Sequence, residues 1–590
     1  MKNKKILIVV AIIVILFIVL LGIIAIPNRK VVLTTSKRQN INLNIKSNKE
    51  QTIKLKVTNN NKKDNYDIIL DNNNLSTSNY IIYVLKDNNK VIDKGLLFSK
   101  QNNKLTTINL KKDETKELEL NILYQSNKDK EKLNIDSDIS LVAHKDEEKA
   151  ILMTGSEFNK KIKELANPNG LEGRYGEDYN IYGIKIADKK KDDAIDVSDI
   201  NSKEKVYTWY DDHYIYLYSD KDISMNKFSS SMFAKLTELN DITDLAKIDT
   251  SNVTSMNFLF QEDDNLSNIT ALAKWDTKSV KDMDYLFQQC TSIKDITPLI
   301  GWDTTSLESL SFAFEGTRVE DITALKYFKT DNLKDLSFTF ENTRINDLTP
   351  LKDWNVSNVT TLSYAFAVTK ISNLDALSNW DVSNVKNFNA TFDANLKLTN
   401  IKGLSNWNTK SMESCEHILA KTRIENLDAL AKWDTTNLKK MKGLIAGSRK
   451  VTNIDGISNW NVANVEDFES TFELTSFTNT EALKNWDTSS AKSMKYMFSH
   501  TKIMDAKGIS NWNVSNVTNF KETFNNTKLN NLKDLSNWNT ENAETMEGMF
   551  ANSSKLKDST AINNWNVSKV NNFDNMFENT KTELPEWYKN

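Results

Sequence analysis

Five prolines and fifteen glycines in 590 residues are too few for a flexible stalk or a proline-rich spacer. Basic charge is not in excess. Lys and Arg number 76 against 79 Asp and Glu, and the net charge of -3 with a pI near 6.0 gives no general attraction to nucleic acid. Histidine is scarce too: His144, His213, His417 and His500 are scattered, and no nucleophile, metal or phosphate motif stands beside them. No enzyme and no cofactor is therefore expected. Cysteine occurs only as Cys290 and Cys415, which excludes a disulfide framework but leaves the redox compartment open.

What the chain has instead is repetition. The stretch from Trp354 to Leu377, WNVSNVTTLSYAFAVTKISNLDAL, recurs with its Trp position at Ile248, Trp275, Trp302, Phe328, Trp354, Trp380, Trp407, Trp433, Trp460, Trp486, Trp512, Trp538 and Trp565, always 26 or 27 residues apart. A fixed period in this range signals a solenoid, which lengthens without needing a second core. Cys290 and Cys415 fall in repeats too far apart to meet.

After Trp354, the apolar residues Val359, Leu362, Ala365 and Phe366 have helical spacing, whereas Ile371, Leu374 and Leu377 recur every third residue. Ser, Thr and Asn ahead of the first group suit a helix N-terminus. Each unit is expected as cap, short helix, turn and short strand, in an α/β solenoid of the leucine-rich-repeat kind. The Met and Phe files read as core rather than as a cofactor pocket. Seven apolar side chains cannot offset the ordering of a whole unit, so no repeat is expected to fold alone.

The residue before the middle strand hydrophobe is Asx in every unit: Asp241, Asn268, Asp295, Asp321, Asp347, Asn373, Asn400, Asn426, Asn453, Asn479, Asp505, Asn531 and Asp558. This file is expected to be a structural ladder that bonds the turns of adjacent repeats; the alternative is a cation-binding acidic row, against which the excess of Asn and the like-charge repulsion argue.

Ahead of the repeats, Ile6–Ile26 is an unbroken apolar run behind the basic start MKNKK, long enough at about 1.5 Å per residue to cross a hydrocarbon core of roughly 30 Å. Residues 1–30 are read as a cytoplasmic start and transmembrane signal anchor, with a cleaved signal as the alternative. The membrane is then a partner through residues 6–26, and the large C-terminal part is expected outside a bacterial cell membrane crossed once. From 31 to 147, period-two runs such as Ile53, Leu55 and Val57, separated by turn signals, predict an Ig-like antiparallel β-sandwich acting as a spacer. Residues 148–203 read as a polar connector with a short helix at Glu157–Ala166, and its Gly-bearing loop and Asp run read as solvated surface. The aromatic hairpin 205–218 opens a segment, 204–247, expected to cap the solenoid and supply a partial repeat; a sugar-stacking platform is the alternative. Repeats fill 248–577, and 578–590 is expected as the C-terminal cap.

The pattern W[DN][TV]SNV, a helix with M/L/F-x-x-x-F, and I-x-[DN]-[IL]-x-x-L over about 225–580 resembles the BspA-like leucine-rich repeat family of bacterial surface proteins. Units such as Met497-Phe498 and Met549-Phe550 keep that family's Met-Phe pair, whereas Ala313-Phe314 and Ala365-Phe366 depart from it. The resemblance implies surface display and, for some members, adhesion to host matrix proteins or other cells. On such a fold the exposed strand positions Glu320, Thr323, Asn346, Thr349, Ser372, Asp375, Glu425, Asp428, Asn530 and Lys533 are the candidate partner-binding face. An extracellular protein or host matrix partner is expected, with a glycan-binding or structural envelope protein as the alternative.

Overall fold

The computed structural model describes residues 29–34, 39–46, 50–59, 65–72, 80–97, 102–125, 132–143, 149–170 and 176–589. The apolar run Ile6–Ile26 lies outside these residues; among the described ones no helix is long and apolar enough to cross a membrane. The chain divides into two compact units, Met1–Glu148 and Lys149–Asn590.

In the first unit, β1 (Arg29–Thr34), β3 (Glu50–Thr58), β8 (Thr115–Gln125), β5 (Tyr80–Asp87) and β6 (Lys90–Leu97) form one sheet in that order. The strands β2 (Gln39–Lys46), β9 (Lys132–Ala143), β4 (Asn65–Asn72) and β7 (Asn102–Asn109) form a second. Alternation places Ile53, Leu55 and Val57 inward, with Ile53 opposite Leu120 and Leu55 opposite Leu118. Tyr66, Ile68, Leu70 and Ile139 of the second sheet join the same buried cluster. Asn88 and Asn89, both with positive φ, make the tight turn between β5 and β6, which short polar side chains tolerate. The expected all-antiparallel pairing fails at one edge, where β1 runs parallel to β3. The chain leaves β1 for the second sheet as β2 and returns as β3, so the two strands point the same way.

The described part of the expected connector, 149–170 and 176–203, carries regular structure. It supplies β10 (Ala150–Ile151), helix α1 (Gly155–Ala166), β11 (Gly183–Ile186) and β12 (Ile195–Asp196). The hairpin of β13 (Tyr207–Asp211) and β14 (Tyr214–Tyr218) sits between β11 and β12 in a four-stranded sheet, while β10 pairs with β15 (Ile223–Ser224). From this sheet Gly183 bridges to Asp241, the first member of the Asx file. A Cβ on Gly183 would lie 2.7 Å from the Asp241 carbonyl oxygen, so the close approach requires glycine. Phe158 of α1 meets Phe233 edge-on at 6.2 Å, and Phe233 begins the stacked Phe file of the repeats. The N-terminal end of the stack is thus covered by elements from both the supposed connector and the hairpin.

Neither expected element of the repeat forms. The segment with helical spacing is a run of tight turns, and the segment after the Asx residue is a short 3-10 helix, as at Asp375–Leu377. The backbone hydrogen bonds give the reason. Tyr364, Phe366 and Val368 donate to the carbonyls of Asn389, Thr391 and Asp393 in the next repeat, whereas Ala365 and Ala367 between them donate back to Leu362 and Tyr364. An α-helix would turn all its interior amides inward and leave none for the neighbour. The alternation needs two left-handed residues per unit, here Tyr364 at φ 56° and Val368 at φ 57°. Three residues before the first left-handed residue, a file of parallel bridges such as Asp335 to Thr361 and Thr361 to Asn387 links successive units.

Candidate interaction surfaces

The exposed surface is organised by what holds the backbone. In all thirteen units the Asx Oδ1 accepts the amide two residues on, at 2.6 to 3.3 Å, capping its own 3-10 turn. Beside this cap, which the sequence did not show, the file also joins adjacent turns: parallel backbone bridges link Asp295 to Asp321, Asn373 to Asn400, Asn426 to Asn453 and Asn531 to Asp558, and Asn400 Nδ2 donates to Asp375 of the preceding unit at 3.0 Å. The cap uses only the acceptor oxygen, so Asp serves there as well as Asn.

Stitching between repeats comes also from another Asn, the one in the SNV motif. Asn332, Asn358, Asn384, Asn437, Asn516 and Asn542 each donate Nδ2 to a carbonyl of the preceding unit at 2.7 to 2.8 Å. A carboxylate cannot donate, and no Asp occurs in this file. The Trp residues act likewise, each burying its ring and sending Nε1 to a carbonyl one repeat back.

With its backbone satisfied, each unit leaves two side chains beside the cap turned to solvent. Glu320, Asn346, Ser372, Glu425 and Asn530 immediately precede the Asx residue, and Thr323, Thr349, Asp375, Asp428 and Lys533 open the 3-10 turn; all ten are exposed. They fall into two files along the stack, on turns rather than on a strand. Neighbours within a file do touch, as Asn346 Nδ2 donates to Glu320 Oε1 at 2.7 Å. Glu425 and Asp428 lie two repeats beyond Ser372 and Asp375, and Asn530 and Lys533 lie four repeats further.

Other sequence candidates stand apart from these files. The hairpin aromatics are engaged internally: Trp209 stacks on Tyr216 at 5.4 Å, and Lys185 Nζ lies 3.5 Å over the Tyr214 ring. His213 is in the hairpin turn, while His417 and His500 occupy left-handed turn positions of separate repeats. His144 is outside the described residues. Among the described residues no three His, Cys, Asp or Glu side chains gather as a metal centre requires.

The structure also brings together a group that the sequence reading passed over. The first left-handed residue of the turn run is aromatic in five consecutive units, and Phe258, Tyr285, Phe312, Phe338 and Tyr364 stack with centroids 4.4, 4.5, 4.1 and 4.5 Å apart. All five are half-buried. Burial, with Asp282 and Asp335 nearby, pushes the Asp284 carboxyl up to about 6. On the other flank burial, with Glu315 and Asp393 nearby, pushes Glu341 up to about 7. Reading every residue ten places after the Trp position would have exposed the file.

These features define a repeat protein with a regular 26- to 27-residue unit built on 3-10 turns, stacked through side chain and backbone bonds. Five overlapping segments, 227–347, 334–453, 395–504, 421–527 and 475–587, match the family described as "Mycoplasma protein of unknown function, DUF285". Together they span more than half of the chain, which therefore belongs to that family. Comparison with curated proteins yielded no match.

Proposed function

We propose that this chain is a membrane-anchored bacterial surface protein whose stacked repeats bind a protein partner, in the manner implied by its resemblance to BspA-like leucine-rich repeat proteins. The observation that carries the reading is the pair of exposed files beside the Asx caps. There the backbone is held by fixed chemistry while the outward side chains vary freely from unit to unit. Rigid scaffolds with variable exposed positions are how repeat proteins present a binding surface. The apolar run Ile6–Ile26 supports anchoring, with the repeats outside. The first unit, in which two sheets contribute to one buried cluster, fits an Ig-like sandwich serving as a spacer.

Two measurements test this. Protease shaving of intact cells should cleave residues 149–590; survival until the membrane is opened would overturn surface display. Charge reversal of Glu425 and Asp428 should weaken binding to host matrix proteins or host cells while leaving thermal unfolding unchanged. Equal binding by that variant and by matching variants at Glu320, Ser372, Asp375 and Lys533 would overturn the assignment to this face. Binding that survives proteolysis of the target would move the partner from protein to glycan.

A further inference from the structure

The stacked aromatic file is not required by the turn in which it sits. In later repeats the same left-handed position holds Ala390, His417, Gly443, Ser470, Tyr496, Glu522, Gly548 and Asn575, only one of them aromatic. Gly and Asn are the residues that this conformation favours, so five bulky rings are a locally costly choice. Ring stacking offsets part of that cost but leaves an unbroken line of half-exposed aromatic edges. Summed centroid steps make this ribbon roughly 17 Å long, the span of about five residues of extended chain at roughly 3.3 Å each.

The charges beside the ribbon are one-sided. Asp284 and Asp335 lie close enough to Tyr285, and Glu341 and Asp393 to Tyr364, to act on their hydroxyl groups. Among the described residues no Lys or Arg nitrogen pairs with Asp284, Asp335, Glu315 or Glu341, and the pairings nearby lie at the two ends of the ribbon, Lys235 with Glu262 at 3.4 Å and Lys421 with Asp393 at 3.8 Å. Further along the same face the charges cancel internally: Lys442 and Lys495 pair with Glu469 at 2.8 and 3.4 Å, and Lys521 pairs with Glu547 at 2.9 Å. Uncompensated carboxylates therefore accompany the five stacked rings, whereas beside Tyr496, a lone aromatic of the same file, the charges pair among themselves.

An apolar ribbon bordered by unpaired carboxylates suits long cationic side chains, whose methylene stems cover ring edges while their heads meet the acids. We propose that the ribbon from Phe258 to Tyr364 is the docking surface for an extended lysine- or arginine-rich segment of a partner protein. The proposal rests on the reading of the repeats as a protein-binding scaffold, but it assigns the contact to a face other than the Glu320 and Thr323 files.

The test uses the full chain and two labelled decapeptides, one alternating lysine and serine and one alternating glutamate and serine, followed by fluorescence anisotropy. The lysine peptide should bind and the glutamate peptide should not. Phe312→Asn with Phe338→Asn should weaken binding at least tenfold, Asn being native at this position in Asn575. Asp284→Asn with Asp335→Asn should do the same without touching the rings, which keeps the test open if the ring variant unfolds. Glu469→Gln and Glu425→Gln with Asp428→Asn should stay within twofold of wild type. Absence of lysine-peptide binding, equal binding of the glutamate peptide, or wild-type binding by a folded ribbon or carboxylate variant would each overturn the ribbon. Loss confined to the Glu425 and Asp428 variant would overturn the ribbon and favour the other face. Wild-type binding to matrix or cells alongside failure here would leave the wider interaction reading standing.

Discussion

Trp354 Nε1 donates at 2.9 Å to the carbonyl oxygen of Leu325, a residue of the preceding repeat. That carbonyl already accepts the Phe328 amide, so the indole adds a second bond to a used acceptor rather than rescuing an orphan. The same arrangement recurs at every Trp that holds the Trp position of a repeat, from Trp275 to Leu245 through to Trp565 to Leu535.

Phe328 occupies the Trp position but has no side-chain N–H to send to Leu299, whose carbonyl keeps only the Trp302 amide at 3.1 Å. Phe328→Trp should therefore stabilise this step of the stack by about 0.5–1.5 kcal/mol, and Trp380→Phe should destabilise its own step by a similar amount. Amide exchange in the flanking repeats, followed in urea, measures both. Faster exchange in Phe328→Trp would show that the site cannot house the larger ring.

The two Asn files differ in which end of the amide they use, and Asn→Asp substitution separates them. At Asn373 the oxygen caps the Asp375 amide, so Asn373→Asp should change stability by less than about 0.5 kcal/mol, whereas Asn373→Ala should cost about 1 kcal/mol. At Asn384 the nitrogen donates to the Ser357 carbonyl at 2.7 Å, so Asn384→Asp should cost about 0.5–1.5 kcal/mol. Equal urea midpoints for the two Asp variants would refute the assignment.

The period, the marker and the buried positions were legible because burial repeats with the unit; Val359, Leu362, Phe366, Leu374 and Leu377 are all buried. The local conformation was not legible. Apolar residues three and four apart fit a run of turns as well as a helix, and the cue that separates them is a left-handed residue at fixed places. That cue was masked where Phe and Tyr stand in positions held elsewhere by Gly443 and Asn575. Half of the N-terminal cap was missed for a different reason. The strands β10 and β12 are two residues long and β11 is four, too short to show a period of two.

Asp263 is fully buried in a file held mostly by threonine. Thr317, Thr343 and Thr475 each turn Oγ1 back to the carbonyl three residues earlier, whereas Asp263 accepts the Leu236 amide on Oδ1 at 2.8 Å and leaves Oδ2 without a partner. Burial raises its carboxyl well above the usual range; Asp264 and Glu262 push the same way, and Lys163 opposes them. Because the folded state holds the proton more tightly than the unfolded chain, stability falls as pH rises above the ordinary carboxylate range of about 4. Asp263→Thr should therefore raise the unfolding temperature at pH 8 by more than at pH 4. A gain that is the same at both pH values would show that Asp263 does not titrate on unfolding.

At the other end of the stack, Trp587 in the short helix α2 (Glu586–Lys589) sends Nε1 to the Ile562 carbonyl at 2.9 Å, taking the place that a further repeat's Trp would take. Its ring lies 5.7 Å from Phe573, and Tyr588 meets Phe577 edge-on at 5.1 Å, so the two aromatics cover the last Phe of the core file. Each repeat of a solenoid depends mainly on its neighbours, so a loss here should stay local. Trp587→Ala should remove about 3 kcal/mol or more from the final unit, the usual cost of truncating a packed Trp, discounted by its partial exposure. Amides of 560–580 should then exchange markedly faster while those of 270–400 are unchanged. Uniform acceleration along the whole stack would show that the repeats unfold as a single cooperative block instead.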